Sequence, residues 1–377
     1  MTNVTRTLPP ALCGLGLWVG LPEATSAQEP EELTVVEVWT TEGIEIADGL
    51  TAITGLVEAA DGRIWIADMW PLEGRVLVLD PESMRAEVVG RKGDGPGEVL
   101  VPTSMTIMPD GRIAVYDMLR RAVEIYDPDG EPFRRVQLRG VDMPSEKGFA
   151  ALPTGGFLVT GSARPSEAAI HYFDNEGEWV RGWRERYPPR DAFPVNESEV
   201  AVMMAQQAGT GGPVHALPDG SFLYSQSAPH EIVLFERSST RENDWTERPV
   251  VSMPELFEPP GITIVEESNE GGWIFRDAWP RSMYVFGLGN GYILNVVDMG
   301  EEERWLWQVF DPQRGADGEA ALVAQASLDR RYTLKSVCEN GDILAALANP
   351  DTGVSHAVRL RLEGLKSATR REAGPGR

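Results

Sequence analysis

The chain has 377 residues, of which 42% are hydrophobic and 24% charged, and its formal net charge is −24. That balance belongs to a folded domain with a substantial apolar core, not to a disordered or collagen-like chain. The excess of carboxylates keeps such a protein soluble and disfavours nucleic acid and anionic membrane surfaces as partners.

Residues 1–27 read as a secretory signal peptide. Arg6 precedes an apolar stretch, ALCGLGLWVGL (11–21), Pro22 ends it, and Thr25, Ser26 and Ala27 supply small residues before Gln28. The stretch is too short to span a bilayer. Cys13 does not fit lipidation, because Pro10-Ala11-Leu12 precedes it and the apolar run follows it. Once the signal is removed Cys338 is the remaining cysteine, which excludes an intrachain disulfide and a two-cysteine metal site. Next comes LTVVEVW (33–39), a strand expected to pair beside AVRLRL (357–362) and so close a ring of sheets.

From residue 60 a pattern recurs. ADGRIWI (60–66) returns as PDGRIAV (109–115), PTGGFLV (153–159), PDGSFLY (218–224), GNGYIL (289–294) and ENGDIL (339–344), with the turn glycines at 62, 111, 155, 220, 291 and 341. Asp-Gly or Asn-Gly between apolar runs is a hairpin signal. A second apolar run and turn follows most copies, as in VLVLDPES (76–83), VEIYDPDGE (123–131), IHYFDNEGE (170–178) and WQVFDPQ (307–313). Val76-Leu77-Val78-Leu79 and Ile64-Trp65-Ile66 are apolar on both faces, so those strands are expected between two other layers. Phe133 to Leu138 alternates instead, as an outer strand does. Six copies at this spacing predict an all-β fold: a six-bladed β-propeller with four-stranded blades, spanning residues 28–364, its ring closed by the N- and C-terminal strands.

Two separations between copies are longer than the rest and predict insertions at about 185–211 and 237–281. In the first, Asn196 and Glu199 precede VAVMMAQQA, a capping-box helix start. In the second, Trp245, Trp273 and Trp279 are candidates for an exposed sugar- or partner-binding surface. The tail, 365–377, is basic and expected to be disordered.

DMLRRAVEIYD (117–127), directly after PDGRIAVY, resembles the repeat of NHL-type six-bladed propellers. GDGPGE followed by Pro102 resembles exported bacterial propellers of this kind. The resemblance departs from the NHL pattern at Arg120, where Asn is usual, and in both insertions. It implies a fold much more than an activity.

The chemistry-bearing residues are sparse. GRKGDGPGEV (90–99) is glycine-rich, but Pro96 lacks an N–H, Asp94 and Glu98 are acidic, and neither GxxxxGK[ST] nor GxGxxG matches. It reads as a connector between blades that marks one face of the ring, where Asp68, Arg91, Asp117 and Arg121 should gather. No GxSxG elbow occurs, and His171, His215, His230 and His356 are not spaced as a metal motif. Aligning the repeats puts Ser104, Lys147, Arg281 and Lys335 near the starts of innermost strands, with His215 on another. Converging cations in an acidic protein suggest an anionic ligand. The first functional expectation is therefore a non-catalytic module, an expected monomer, binding a protein or a small anionic or carbohydrate ligand, with no cofactor. The alternative resembles propeller lactonases and lyases, with a metal held in the channel by carboxylates and His215. The repeats lack a recurring Trp signature for a quinone cofactor.

Overall fold

All six repeat glycines sit in hairpin turns at φ between +84° and +96°, a region that a side chain disfavours. In the first, Gly62 N–H donates to Ala59 O (2.9 Å) and Ala59 N–H to Arg63 O (2.8 Å). The Asp61 side chain accepts from Arg63 N–H at 3.0 Å. The computed structural model describes residues 30–365 apart from 43–48, 70–72, 164–165, 188–190, 192–201, 203–205, 207–210, 228, 239, 241–243, 253–263, 268–272, 276–280, 299–303, 315–319, 330–331 and 350–353. The expected signal peptide, the residues from 366 onward and Trp279 lie outside the described residues.

Two strands precede the first blade: β1 (Glu31–Glu32) and β2 (Thr34–Thr40). Blade 1 is β3 (Ile53–Glu58), β4 (Ile64–Met69), β5 (Gly74–Asp80) and β6 (Arg85–Gly90). Blade 2 is β7 (Pro102–Ile107), β8 (Ile113–Asp117), β9 (Ala122–Tyr126) and β10 (Pro132–Gln137). Blade 3 is β11 (Val141–Ala151), β12 (Phe157–Ala163), β13 (Ala168–Phe173) and β14 (Trp179–Glu185). Blade 4 is β15 (Val214–Ala216), β16 (Phe222–Gln226), β17 (Glu231–Arg237) and β18 (Trp245–Ser252). A separate hairpin, β19 (Ile264–Glu267) with β20 (Trp273–Phe275), lies between blades 4 and 5 in sequence. Blade 5 is β21 (Arg281–Gly287), β22 (Ile293–Asp298), β23 (Arg304–Asp311) and β24 (Ala321–Asp329), with β1 parallel to β24 outside it. Blade 6 is β25 (Tyr332–Val337), β26 (Ile343–Ala348), β27 (Ser355–Glu363) and, as its fourth strand, β2. The expected pairing of the two chain ends is thus observed: β2 runs antiparallel to β27, from Thr34 opposite Glu363 to Thr40 opposite Val358.

The innermost strands β3, β7, β11, β15, β21 and β25 meet one another in turn, and β25 meets β3. The core is divided accordingly. Ile64 and Ile66 pack with Leu344 and Ala346 of blade 6, whereas the alternate residues Trp65 and Ala67 pack with Met105 and Val115 of blade 2. That explains the runs apolar on both faces: each strand seals two inter-blade layers. Trp65, Trp183, Trp305 and Trp307 are buried in these layers, as their strand positions suggest.

Trp245 departs from expectation. Instead of standing exposed in an insertion, it opens β18, is 5% exposed, and meets Trp183 edge-on at a ring separation of 5.5 Å. Pro249 breaks the reading of 245–252 as a strand in sequence, but an outermost strand tolerates a missing N–H. The side chain of Trp273 lies outside the described residues. In the first inserted segment, Val202 and Gln206 are helical and buried. The capping-box residues that precede them are outside the described residues.

Candidate functional site: the central channel

The connector face is held together by two buried aspartates at the ends of second strands. Asp68 accepts from Thr51 N–H (3.1 Å) and Ala52 N–H (2.8 Å) ahead of β3 and from Arg75 Nη2 (2.7 Å). Asp117 repeats the arrangement one blade on, accepting from Leu100 N–H (2.7 Å), Val101 N–H (3.2 Å) and Arg120 Nη1 (3.0 Å). Both carboxylates are fully buried. They latch each blade to the strand that leads into it, and they do not face a ligand.

The glycine-rich loop has the wrong polarity for phosphate. Its carbonyls point at cations: Arg120 Nη1 donates to Glu98 O (2.6 Å) and Arg135 Nη2 to Gly95 O (2.8 Å). Tyr126 Oη donates to Gly97 O at 2.6 Å, and Glu98 Oε2 accepts the loop's own Gly95 N–H at 2.6 Å. A phosphate cradle needs those N–H groups aimed outward and unused. The loop is a connector, and Arg91 stands exposed on it. Arg121 is also exposed, in the turn between β8 and β9 at φ +55°.

A channel of about 1060 Å³ runs through the ring and is lined by residues of all six inner strands. Of the residues singled out from sequence, Ser104, Lys147, His215 and Lys335 line it. Arg281 opens β21, but its side chain lies outside the described residues. Five inner strands carry a register shift, near the end of β25 and nearer the starts of the others. Thr54, Thr103, Met283 and Lys335 each fall where the register skips a residue, and Lys147 falls in a longer skip between Pro144 and Phe149. Bulges re-aim side chains, and here they decide what the channel mouth presents. Lys147 reaches across from blade 3 to blade 5, where Nζ lies 3.0 Å from Met283 Sδ and 5.7 Å from the ring centre of Tyr284. No repeat alignment reveals this, because a bulge shifts the facing of a residue without changing the motif around it.

The lining changes character along the axis. Thr103 and Lys147 stand toward the end where the inner strands begin. Lys335, expected near a strand start, lies instead two residues from the end of β25, toward the hairpin-turn end with Glu58, Asp219 and Glu339. Between them the wall is largely apolar, including Phe149 and Phe286. His215 lies there edge-on to Phe286, ring centres 5.4 Å apart, and burial pushes its pKa down to about 4. It is a neutral imidazole on an apolar wall. Among the described residues no group of three or more His, Cys, Asp or Glu could hold a metal ion. The donor set expected around His215 is therefore not assembled there, and we route no chemistry through a metal.

No protein-family model matches the chain, and no curated protein matches it. Among solved structures it is similar to a protein of Bacteroides fragilis assigned as exported, at 12% identity over 88% of this chain and 95% of that one, with a TM-score of 0.52. It is also similar to a luciferin-regenerating enzyme at 13% identity, over 89% of this chain and 97% of that one, with a TM-score of 0.48. A PQQ-bound aldose sugar dehydrogenase of Streptomyces coelicolor matches at 14% identity over 89% and 99%, with a TM-score of 0.47. Likeness at these identities shows the fold, and a propeller fold carries many unrelated activities. Among the described residues no helix is long and apolar enough to cross a membrane.

Proposed function

We propose that this chain is an exported, NHL-like propeller acting as a non-catalytic binding module whose ligand enters the central channel. The observation that carries the reading is the channel itself. It is large enough for a small organic molecule, and it is lined from every blade. The sequence of residues 1–27 supports export. The lactonase-like alternative is weakened because its metal ligands do not converge among the described residues.

The test is a thermal-shift screen of neutral, anionic and cationic small molecules against the full chain and against Thr106→Trp, which narrows the channel at a lining position. The reading expects ligands that raise Tm in the parent and not in the variant. Turnover of a bound lactone upon addition of a divalent cation, or shifts that ignore Thr106→Trp, would overturn it.

A further inference from the structure

The strand registers place one residue from each blade at a common height in the channel. Val57, Thr106, Ala150, His215, Phe286 and Ser336 each pair with the third residue after their blade's turn glycine, and all six line the channel. Val57, Ala150 and Phe286 are apolar, and Ser336 keeps its Oγ buried. Thr106 and His215 remain partly exposed. Glu58 and Lys335 flank this tier, but both are engaged: Glu58 pairs with Arg359, and Lys335 has a partner within the protein.

His215 differs from two other buried rings of the chain. His171 and His230 each commit both nitrogens to hydrogen bonds. Among the described residues His215 commits neither, and its nitrogens are not sealed in as the unpartnered Trp65 and Trp307 indoles are. A carbon of the ring faces the protein instead: a Cβ at Gly287 would stand 3.7 Å from His215 Cδ2, and Phe286 meets the ring edge-on. Burial holds the imidazole neutral, so it offers the channel one N–H and one bare nitrogen. A molecule that displaces water from those nitrogens must replace the hydrogen bonds, or it binds weakly.

A hydroxyl suits either tautomer of the ring, since it donates to a bare nitrogen and accepts from an N–H. A charged head at this height would be desolvated beside Val57, Ala150 and Phe286, with the flanking charges already engaged. Resting on the channel reading above, we propose that the ligand is a neutral, largely apolar alcohol or phenol. Its hydroxyl hydrogen-bonds to His215, and its carbon body lies against Phe286. His215 thus selects the polar group of the ligand, and the apolar members of the tier take the rest.

Equilibrium dialysis of the full chain, near neutral pH, against 2-naphthol, naphthalene and 2-naphthoate tests this. 2-Naphthol should bind at least about tenfold more tightly than naphthalene, a difference of about 1.4 kcal/mol, and more tightly than 2-naphthoate. His215→Phe should erase the preference over naphthalene and leave naphthalene binding unchanged. His215→Gln, which keeps a donor and an acceptor, should retain part of it, and Thr106→Val should leave it intact. Circular dichroism checks that the variants fold. Equal affinity for 2-naphthol and naphthalene, tighter binding of 2-naphthoate, or a preference that survives His215→Phe or is lost with Thr106→Val overturns the assignment. If naphthalene or ligands from the screen bind the parent but not Thr106→Trp while 2-naphthol gains nothing over naphthalene, this inference fails and the channel reading stands. If none of the three probes binds and the screen gives no ligand sensitive to Thr106→Trp, both fail.

Discussion

Arg120 Nη1 lies 3.0 Å from Asp117 Oδ2, and the same guanidinium reaches Asp94 Oδ1 at 2.9 Å on the connector ahead of blade 2. One arginine thus ties the end of β8 to the loop that enters β7. Arg120 stands where the NHL pattern usually has Asn, and this second contact needs the longer side chain. Asp117→Ala would leave Arg120 with the exposed Asp94 as its counter-charge and the Leu100 and Val101 N–H groups without their acceptor. The expected cost is about 3 kcal/mol, since removing one partner of a buried pair also strands the backbone groups it satisfied. Urea denaturation measures it, and a loss under about 1 kcal/mol would show that the latch does not hold the blade.

Asn175 supplies a turn with a group that its own segment lacks. In the turns at 61 and 219 an aspartate accepts from the N–H two residues on. In the third turn Thr154 holds that position, and Asn175 Oδ1 from the neighbouring hairpin accepts Gly156 N–H at 2.8 Å. Asn175→Ala should cost about 1 kcal/mol, the usual net worth of one hydrogen bond. Asn175→Asp should recover most of it. Thermal unfolding of the two variants side by side decides, and equal losses would reject the account.

That turn shows how far the sequence carries. Glycines at 62, 111, 155, 220, 291 and 341 announce hairpins because positive φ selects for glycine locally. Strands apolar on both faces announce layers on each side, and the structure has them. The acceptor from Asn175 is invisible because it comes from the next hairpin. Trp245 was lost for a similar reason: Pro249 hides an outer strand whose burial depends on Tyr172 and Trp183 of blade 3. At the channel, Lys147, His215 and Lys335 are legible by alignment, whereas Asp68 and Asp117 look like site residues and are latches.

Acid should destabilise the fold through its histidines. Burial pushes the pKa of His171 and His230 from 6.5 down to about 4. Each ring is committed as a neutral tautomer. His171 Nε2 donates to Gly161 O and Nδ1 accepts from Trp179, while His230 Nδ1 donates to Gln226 O and Nε2 accepts from Asn295. Between pH 6.5 and 4 the unfolded chain binds protons that the folded one refuses, so stability is full above pH 6.5 and falls as pH approaches 4. At about 1.4 kcal/mol per pKa unit, each of these two rings contributes roughly 3 kcal/mol to that slope. Tm recorded from pH 7.5 to 4.5 should drop steadily, and His230→Gln should flatten the slope even if it lowers Tm at pH 7.5. A slope unchanged by that substitution would assign the acid sensitivity elsewhere.

The sharpest test of the architecture lies at the N-terminal strand. β2 covers β27 along its length, Val35 packs against the layer between blades 5 and 6, and Trp39 against the layer between blades 6 and 1. Thr41 then locks the end, exchanging bonds with Ala357: its N–H donates to Ala357 O and its Oγ1 accepts Ala357 N–H, both at 2.9 Å. A chain starting at Glu42 loses that cover and presents β27 as an open edge, which invites pairing with other chains. Losing the partial burial of Val35 and Trp39 alone should cost about 2 to 3 kcal/mol. Light scattering coupled to size exclusion should detect self-association of the truncated protein. A synthetic peptide of residues 33–41 should reverse it by restoring the fourth strand. A truncated chain that stays monomeric with an unchanged Tm would mean that β2 only decorates blade 6, and that three strands suffice to hold that blade in the ring.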